Sequence, residues 1–246
     1  MKAMLRMWNN TRMIILTAVC SAIYASALIA FKTAIPLIPG ITEVRIANVF
    51  PMVFSLLFGP AGAWGSAFGN LIGDLFGGTL GPGSIAGFAG NLLLGYLPYA
   101  LWTTLLPLSG GSREWKSGDW RCWVNYILIA LISSASCAVV ISIAVDALGI
   151  VPYGVLSKII TVNNSFASFI GLILLVSVSS ATRQQLGLFW ADIMDEKDTR
   201  ASPLAPIGAW IVTGASILGL IGGTLTPSTT IGWACAFAII MGSLLL

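Results

Sequence analysis

The residues able to do chemistry in this chain are few, and they stand in places where they are costly. Only 9% of the 246 residues are charged, yet Glu43 and Arg45 come directly before an apolar run that opens with Asn48. The following runs carry Asn70 and Asp74, then Asn91, and a later one begins with Lys158, Asn163 and Asn164. Ionisable and amide groups inside a membrane segment are expensive and mark functional positions by default. A guanidinium, two carboxylates and several carboxamides offer a polar solute both donors and acceptors. The chain has no histidine, and its four cysteines (Cys20, Cys122, Cys137, Cys235) lie far apart. That removes zinc-type ligand spacing and any imidazole base. There is no Ser/Lys or paired-Asp motif within the apolar runs and no cofactor fingerprint. The expected chemistry is capture of a small polar ligand, with no catalysis, cofactor or metal.

The elements that must position these groups follow from composition. At 57% hydrophobic residues and a mean hydropathy of +0.93, the chain reads as an all-α, polytopic membrane protein. The net charge of +3 is small and has no basic tract, so no nucleic-acid partner is expected. Windows long enough to span a bilayer, roughly 20 residues each, fall at Met13 to Phe31, Ser84 to Leu106, Cys122 to Leu148 and Gly154 to Ala181. Two shorter ones, Ile46 to Phe58 and Ala61 to Phe76, are separated by Gly59-Pro60, and a last pair covers Leu204 to Gly223 and Ile231 to Leu246. The basic N-terminus before an apolar run has the look of a signal peptide. It lacks a convincing cleavage site and many spans follow, so it is read as the first transmembrane helix. The expected architecture is a bundle of six spans plus a C-terminal hairpin.

Placing every Lys and Arg orients the bundle. With the N-terminus cytoplasmic, nine of the twelve cations fall inside, leaving Lys32, Arg45 and Lys158 outside. Glu43 and Arg45 then lie just outside the second span and Asn48 in its first turn. Asn70 and Asp74 fall in the outer half of the third span, Asn91 in the outer third of the fourth, and Asp146, Tyr153, Asn163 and Asn164 at the outer ends of the fifth and sixth. Nothing in their spacing requires this agreement in depth. It predicts a polar cavity opening outward.

Helical spacing adds detail. Asn70 and Asp74 share a face, beside a Gly69, Gly73, Gly77 stripe that permits close helix approach. Ser157, Thr161, Asn164, Ser168 and Gly171 make a small polar face on the sixth span, and Gly87, Asn91 and Gly95 do so on the fourth. Any one of the asparagines could instead be interhelical glue, Arg45 could pair with Asp74 or Glu43, and Lys158 and Asp146 could be ordinary interfacial residues. The set carries the reading. On the first span Ala18, Ala22, Ser26 and Ala30 recur every four residues, a ridge suited to internal packing or to docking a partner. The charged segment Thr182 to Pro203 reads as a cytoplasmic loop with a short surface helix and a solvated face.

The Ala18-x-x-x-Ala22 span, the loop before span two, the phrase Asn48-Val-Phe-Pro-Met-Val-Phe-Ser-Leu-Leu-Phe-Gly-Pro60 and the Gly-rich spans from Ala61 to Leu101 together resemble the substrate-binding S components of energy-coupling factor (ECF) transporters. The general layout resembles the queuosine-precursor type, and similar phrases occur in thiamine-related S components. The resemblance covers about residues 12–183. It implies a membrane subunit that binds a vitamin-class ligand in an outward pocket closed by the loop after span one. It also implies no ATPase of its own, and docking through Ala18 and Ala22 on a membrane coupling protein that joins two cytoplasmic ABC ATPases. Glu43, Arg45, Asn48, Asn70, Asp74, Asn91 and Asn164 would face the ligand. The chain would divide into a six-span substrate-binding domain (1–183), a cytoplasmic linker (184–203) and a hairpin (204–246), the hairpin being a departure from the family pattern. The inner (plasma) membrane is the expected location. The competing reading is a stand-alone secondary transporter or channel that uses Asp74 as an ion or proton site.

Overall fold

In the computed structural model, residues 1–31, 36–38, 42–43, 45–106, 113, 115–116, 118–225 and 229–246 are described, with backbone alone at 36–38, 42–43 and 224. A short helix α1 (Lys2–Arg6) and a 3-10 turn precede α2 (Thr11–Phe31). Asn10 caps α2, its Oδ1 accepting from the amides of Arg12 at 3.0 Å and Met13 at 3.3 Å. Next come β1 (Pro36–Ile38) and β2 (Thr42–Glu43), paired antiparallel with Pro36 opposite Glu43. A 3-10 turn at Ile46–Asn48 leads into α3 (Val49–Phe58), followed by α4 (Pro60–Phe76), α5 (Gly83–Leu101), α6 (Trp120–Ala147) and α7 (Tyr153–Ser180). After α7 the chain makes a π turn at Ala181–Gln185, then α8 (Trp190–Ile193), α9 (Glu196–Thr199), and the hairpin α10 (Ala205–Leu225) and α11 (Thr229–Leu245).

Five helical segments are long and apolar enough to cross a membrane, those built on α2, α5, α6, α7 and α10. The described residues thus form an all-α polytopic membrane protein. The eight expected segments are all helical, but α3, α4 and α11 span 10, 17 and 17 residues. At about 1.5 Å per residue, α3 is far shorter than a roughly 30 Å hydrocarbon core. It survives because it is surrounded: Pro51 through Leu57 are buried, with α4, α5 and α7 packed around it.

Small residues set the helix spacing. Helix α2 lies along α4, where a Cβ added to Gly69 would stand 2.8 Å from Tyr24 Cδ1. Gly65 faces Cys20 and Gly73 faces Leu28 in the same groove, while Gly77, expected in this stripe, is the C-cap of α4. The turn between α3 and α4 depends on Gly59, with φ of 51°. Trp190 packs on it closely enough that a Cβ would lie 2.5 Å from the indole.

Buried Met13, Leu16, Cys20, Tyr24 and Leu28 take the inner face of α2, which leaves Ala18, Ala22, Ser26 and Ala30 exposed. On the opposite flank α10 packs against α6 and α7, and α11 against α6. Polar contacts fix this hairpin: Tyr153 Oη donates to the Gly219 carbonyl at 2.7 Å, Tyr96 Oη to that of Ser243 at 3.0 Å, and the hydroxyls of Ser136 and Ser216 are 2.6 Å apart.

The segment after α7 is more than a solvated loop. Its charges Asp192, Asp195, Glu196, Lys197 and Arg200 are exposed, as expected. Phe189, Trp190 and Met194, however, enter the main apolar core with α1 and the ends of α3 and α5. Lys2 pairs with Asp198 at 3.5 Å, and Arg113 donates to Thr199. These cations therefore gather at one end of the bundle, away from Arg45.

Candidate ligand site

The other end of the bundle holds the polar residues. The turn before α3, the end of α4, the first half of α5, the second half of α6 and the first half of α7 surround one cavity of about 80 Å³. Arg45, Asn48, Asn70, Asp74, Asn91 and Asn164 all line it. Each is delivered by a different local rule. Asn48 ends the 3-10 turn ahead of α3; Asn70 and Asp74 lie one turn apart on α4; Asn91 reaches the cavity beside Gly87 on α5. A Cβ at Gly87 would stand 2.9 Å from Asn70 Nδ2, so that glycine leaves room for the carboxamide.

Two chains of hydrogen bonds organise the lining. In the first, Tyr24 Oη lies 2.6 Å from Asn48 Oδ1 and 3.0 Å from Asn91 Oδ1, donating its one proton between them. Asn48 Nδ2 donates to Asn164 Oδ1, Asn91 Nδ2 to the Gly87 carbonyl at 2.8 Å, and Asn164 Nδ2 reaches the Cys137 sulfur at 3.5 Å. In the second, Arg45 Nη1 donates to Asn70 Oδ1 at 3.1 Å, and Asn70 Nδ2 to Asp74 Oδ2 at 3.3 Å. Thr79 Oγ1 donates to Asp74 Oδ1 at 3.2 Å, and the Arg45 amide donates to Asn163 Oδ1 at 3.1 Å. Asn48, Asn70, Asn91 and Asn164 are each at most 2% exposed, which is tolerable only because each is hydrogen-bonded within these two chains.

The opposing wall is aliphatic: Ile141 and Val145 from α6, Leu156 and Ile160 from α7. A face of carboxamides, one guanidinium and one carboxylate across from an aliphatic wall suits a compact, flat, heteroatom-rich molecule. Its edges would meet the amides and its face the aliphatic side chains.

Some expected members do other work. Asp146 Oδ1 accepts from the Tyr153 amide at 3.1 Å, capping α7, and Tyr153 holds the hairpin through Gly219. Lys158 is exposed. Of the expected polar face on α7, Asn164 lines the cavity, while Ser168 and Gly171 serve packing: Tyr126 Oη donates to the Ser168 carbonyl at 2.7 Å, and Gly171 abuts the Val49 carbonyl. Glu43 appears only as backbone of β2, its side chain being outside the description, and Lys32, Pro39, Gly40, Ile41 and Val44 lie outside the described residues.

Tyr24 and Cys137 were not anticipated from sequence. Tyr24 had a signal: a phenol within an apolar span, on the face away from the alanine ridge, needs a buried partner. Cys137 had none. The described residues contain no cluster of His, Cys, Asp or Glu able to hold a metal.

Comparison with curated proteins and with solved structures returned no significant match. A family model described as QueT transporter matches residues 14–180, from the first turn of α2 to the end of α7. With well over half of its length inside that match, the chain belongs to the QueT transporter family, the kind of S component that its sequence resembles.

Proposed function

We propose that this protein is the substrate-binding subunit of an ECF-type ABC importer and takes up a modified nucleobase of the queuosine-precursor kind. The observation that carries the reading is the convergence of Arg45, Asn48, Asn70, Asp74, Asn91, Asn163 and Asn164 from separate segments on one cavity. Paired carboxamides present donor and acceptor side by side, which matches the hydrogen-bonding edge of a base. The family match supports a transporter with a small-molecule ligand.

The remaining parts of the proposal follow. The ligand enters from the outer side, and the N-terminus is cytoplasmic in the plasma membrane, because the loop cations cluster at the far end from Arg45. Ala18 and Ala22, exposed on α2, dock on the coupling protein that joins two ATPases. The six-helix unit, residues 1–183, holds the ligand. The segment 184–203 closes its cytoplasmic end, and the hairpin 204–246 buttresses α6 on the flank opposite the docking ridge, leaving that ridge accessible.

The test is ligand binding by purified protein. Arg45→Ala removes a charged donor from the lining, and Asp74→Ala removes the anchor of Asn70 and Thr79. Each should weaken binding by about tenfold or more, since hydrogen bonds involving charged groups contribute roughly 1.5–3 kcal/mol. Unchanged affinity in both variants would remove the pocket assignment. Asp74 is engaged by Asn70 and Thr79, so it reads as an anchor and not as an ion site. Ion-driven uptake by this chain alone in liposomes would overturn that.

A further inference from the structure

At the end of the bundle away from Arg45, a second cavity of about 260 Å³ opens between the ends of α3, α5 and α7. Its polar lining consists of potential donors: the guanidinium groups of Arg113 and Arg183, the indole of Trp115, the hydroxyls of Ser179 and Ser180, and the carboxamide of Gln184. Among the described residues no carboxylate lines it. Its deeper wall is apolar, with Leu57 and Leu175.

The two arginines are held from outside the cavity. Arg113 donates from Nη1 to Thr199 Oγ1 at 3.0 Å and from Nη2 to the Thr199 carbonyl at 2.8 Å, and its guanidinium lies 5.5 Å from the Trp190 ring centroid. These neutral partners orient the charge without cancelling it. Arg183 lies 5.0 Å from the Phe189 ring centroid, and its Nε contacts Asp192 at 3.1 Å. That pair is partly exposed, at 33% and 47%, so water screens it, and the positive bias of the cavity rests on Arg113.

Two further features point to an occupant. The Trp115 indole N–H is buried and finds no acceptor among the described residues, and a buried donor left unmet is costly. Its ring is pinned by Trp102, Trp123 and Tyr126, with centroids 6.1, 5.2 and 5.9 Å away, so it cannot easily turn toward water. Arg183 and Gln184 are carried by the π turn Ala181–Gln185, a rare distortion that is frequent at functional sites.

We infer that this cavity binds a phosphate group, with the Trp115 N–H and the two guanidiniums as donors. The planar guanidinium fork matches phosphate oxygens. Two sources share this chemistry: the headgroup of a phospholipid in the adjacent leaflet, whose glycerol and first methylenes would lie on the apolar wall, or a free phosphate ester. The inference is independent of the ligand site at the other end.

The experiment uses full-length, delipidated protein in detergent, read by native mass spectrometry and thermal unfolding. Phosphatidylglycerol, diacylglycerol with the same acyl chains, and inorganic phosphate are added separately. Phosphatidylglycerol should be retained and raise the melting temperature while diacylglycerol does neither. Trp115→Phe, which keeps the ring and deletes the N–H, should weaken that retention by about tenfold, and the exposed-side change Arg183→Gln should do so without loss of folding. Saturable protection by inorganic phosphate that Trp115→Phe also abolishes would assign the site to a free phosphate. Equal retention of phosphatidylglycerol and diacylglycerol, or retention unchanged in both variants, would overturn the inference.

Discussion

Tyr24→Phe removes a single hydroxyl from behind the lining of the candidate ligand site and leaves the ring, fully buried against Gly69, in place. The hydroxyl bridges Asn48 Oδ1 at 2.6 Å and Asn91 Oδ1 at 3.0 Å, and both asparagines are 2% exposed. A buried acceptor that loses its donor costs about 1–3 kcal/mol in soluble proteins. Interhelical hydrogen bonds in membranes average nearer ~0.6 kcal/mol, because the chain finds other partners when the helices separate. With two acceptors affected, a loss of about 1–2 kcal/mol is expected from these two limits, visible as a fall of a few degrees in melting temperature. The effect on binding is a separate quantity. Asn48 belongs to the start of α3 and Asn91 to α5, so the tyrosine holds two walls of the cavity in register, and losing that pre-organisation should weaken ligand affinity about tenfold. Binding titrations and thermal unfolding on the same preparation measure both. A lowered melting temperature with affinity unchanged within twofold would show that Tyr24 only packs helices, and the role given to it in the site would fall.

The docking proposal predicts that Ala18→Leu with Ala22→Leu abolishes co-purification with a coupling protein while ligand affinity stays intact, because both alanines are exposed on the face away from the cavity; an intact complex would show the ridge misread. Gly59→Ala should destabilise the fold by about 2–4 kcal/mol, the sum of an unfavourable positive φ and a clash in a packed core, since φ is 51° and the added carbon would lie 2.5 Å from Trp190. Its ligand affinity should not change, and unaltered thermal unfolding would refute the packing argument.

Much of the candidate site's geometry was legible because two rules act independently. Hydropathy located the spans, and the cation count ordered their ends; together they put Asn48, Asn70, Asp74, Asn91 and Asn164 at one depth, and in the structure these residues line one cavity. Periodicity then identified faces but could not say what each face meets. On α7, Asn164 meets the cavity while Gly171, on the same stripe, meets the α3 backbone. The strand pair β1–β2 was missed since its strands are 3 and 2 residues long, too short for a period-2 pattern, although Pro39-Gly40 between them is a turn signal. Trp190 was hidden for a related reason. One indole among seven charged residues in the segment 182–203 reads as interfacial, and only the Gly59 notch that receives it shows otherwise.

The short α3 and the small cavity have a common physical origin. A helix of 10 residues is preceded by only one 3-10 turn at Ile46–Asn48, so Arg45 and Asn48 stand where a full-length span would continue as α-helix. Backbone that is not helical is tolerated at membrane depth only where protein or a polar cavity surrounds it, and the carboxamides supply that surrounding. At about 80 Å³ the cavity is well below the roughly 300–1,000 Å³ of ordinary ligand pockets, so a base-sized ligand cannot enter without displacing something. Helix α5 is locked to α6 and α4 by close glycine contacts at Gly90 and Gly95, and α3 itself to α4 and α7 at Gly62 and Gly171, whereas the turn Arg45–Asn48 ahead of α3 is held to its neighbours through hydrogen bonds of Asn48 and Arg45. A ligand that presents its own donors and acceptors can exchange with those bonds at little net cost, while glycine packing offers it nothing to exchange. Widening of the site should therefore occur at the Arg45–Asn48 side, which makes this turn the moving part of the pocket and the glycine-packed helices its fixed frame.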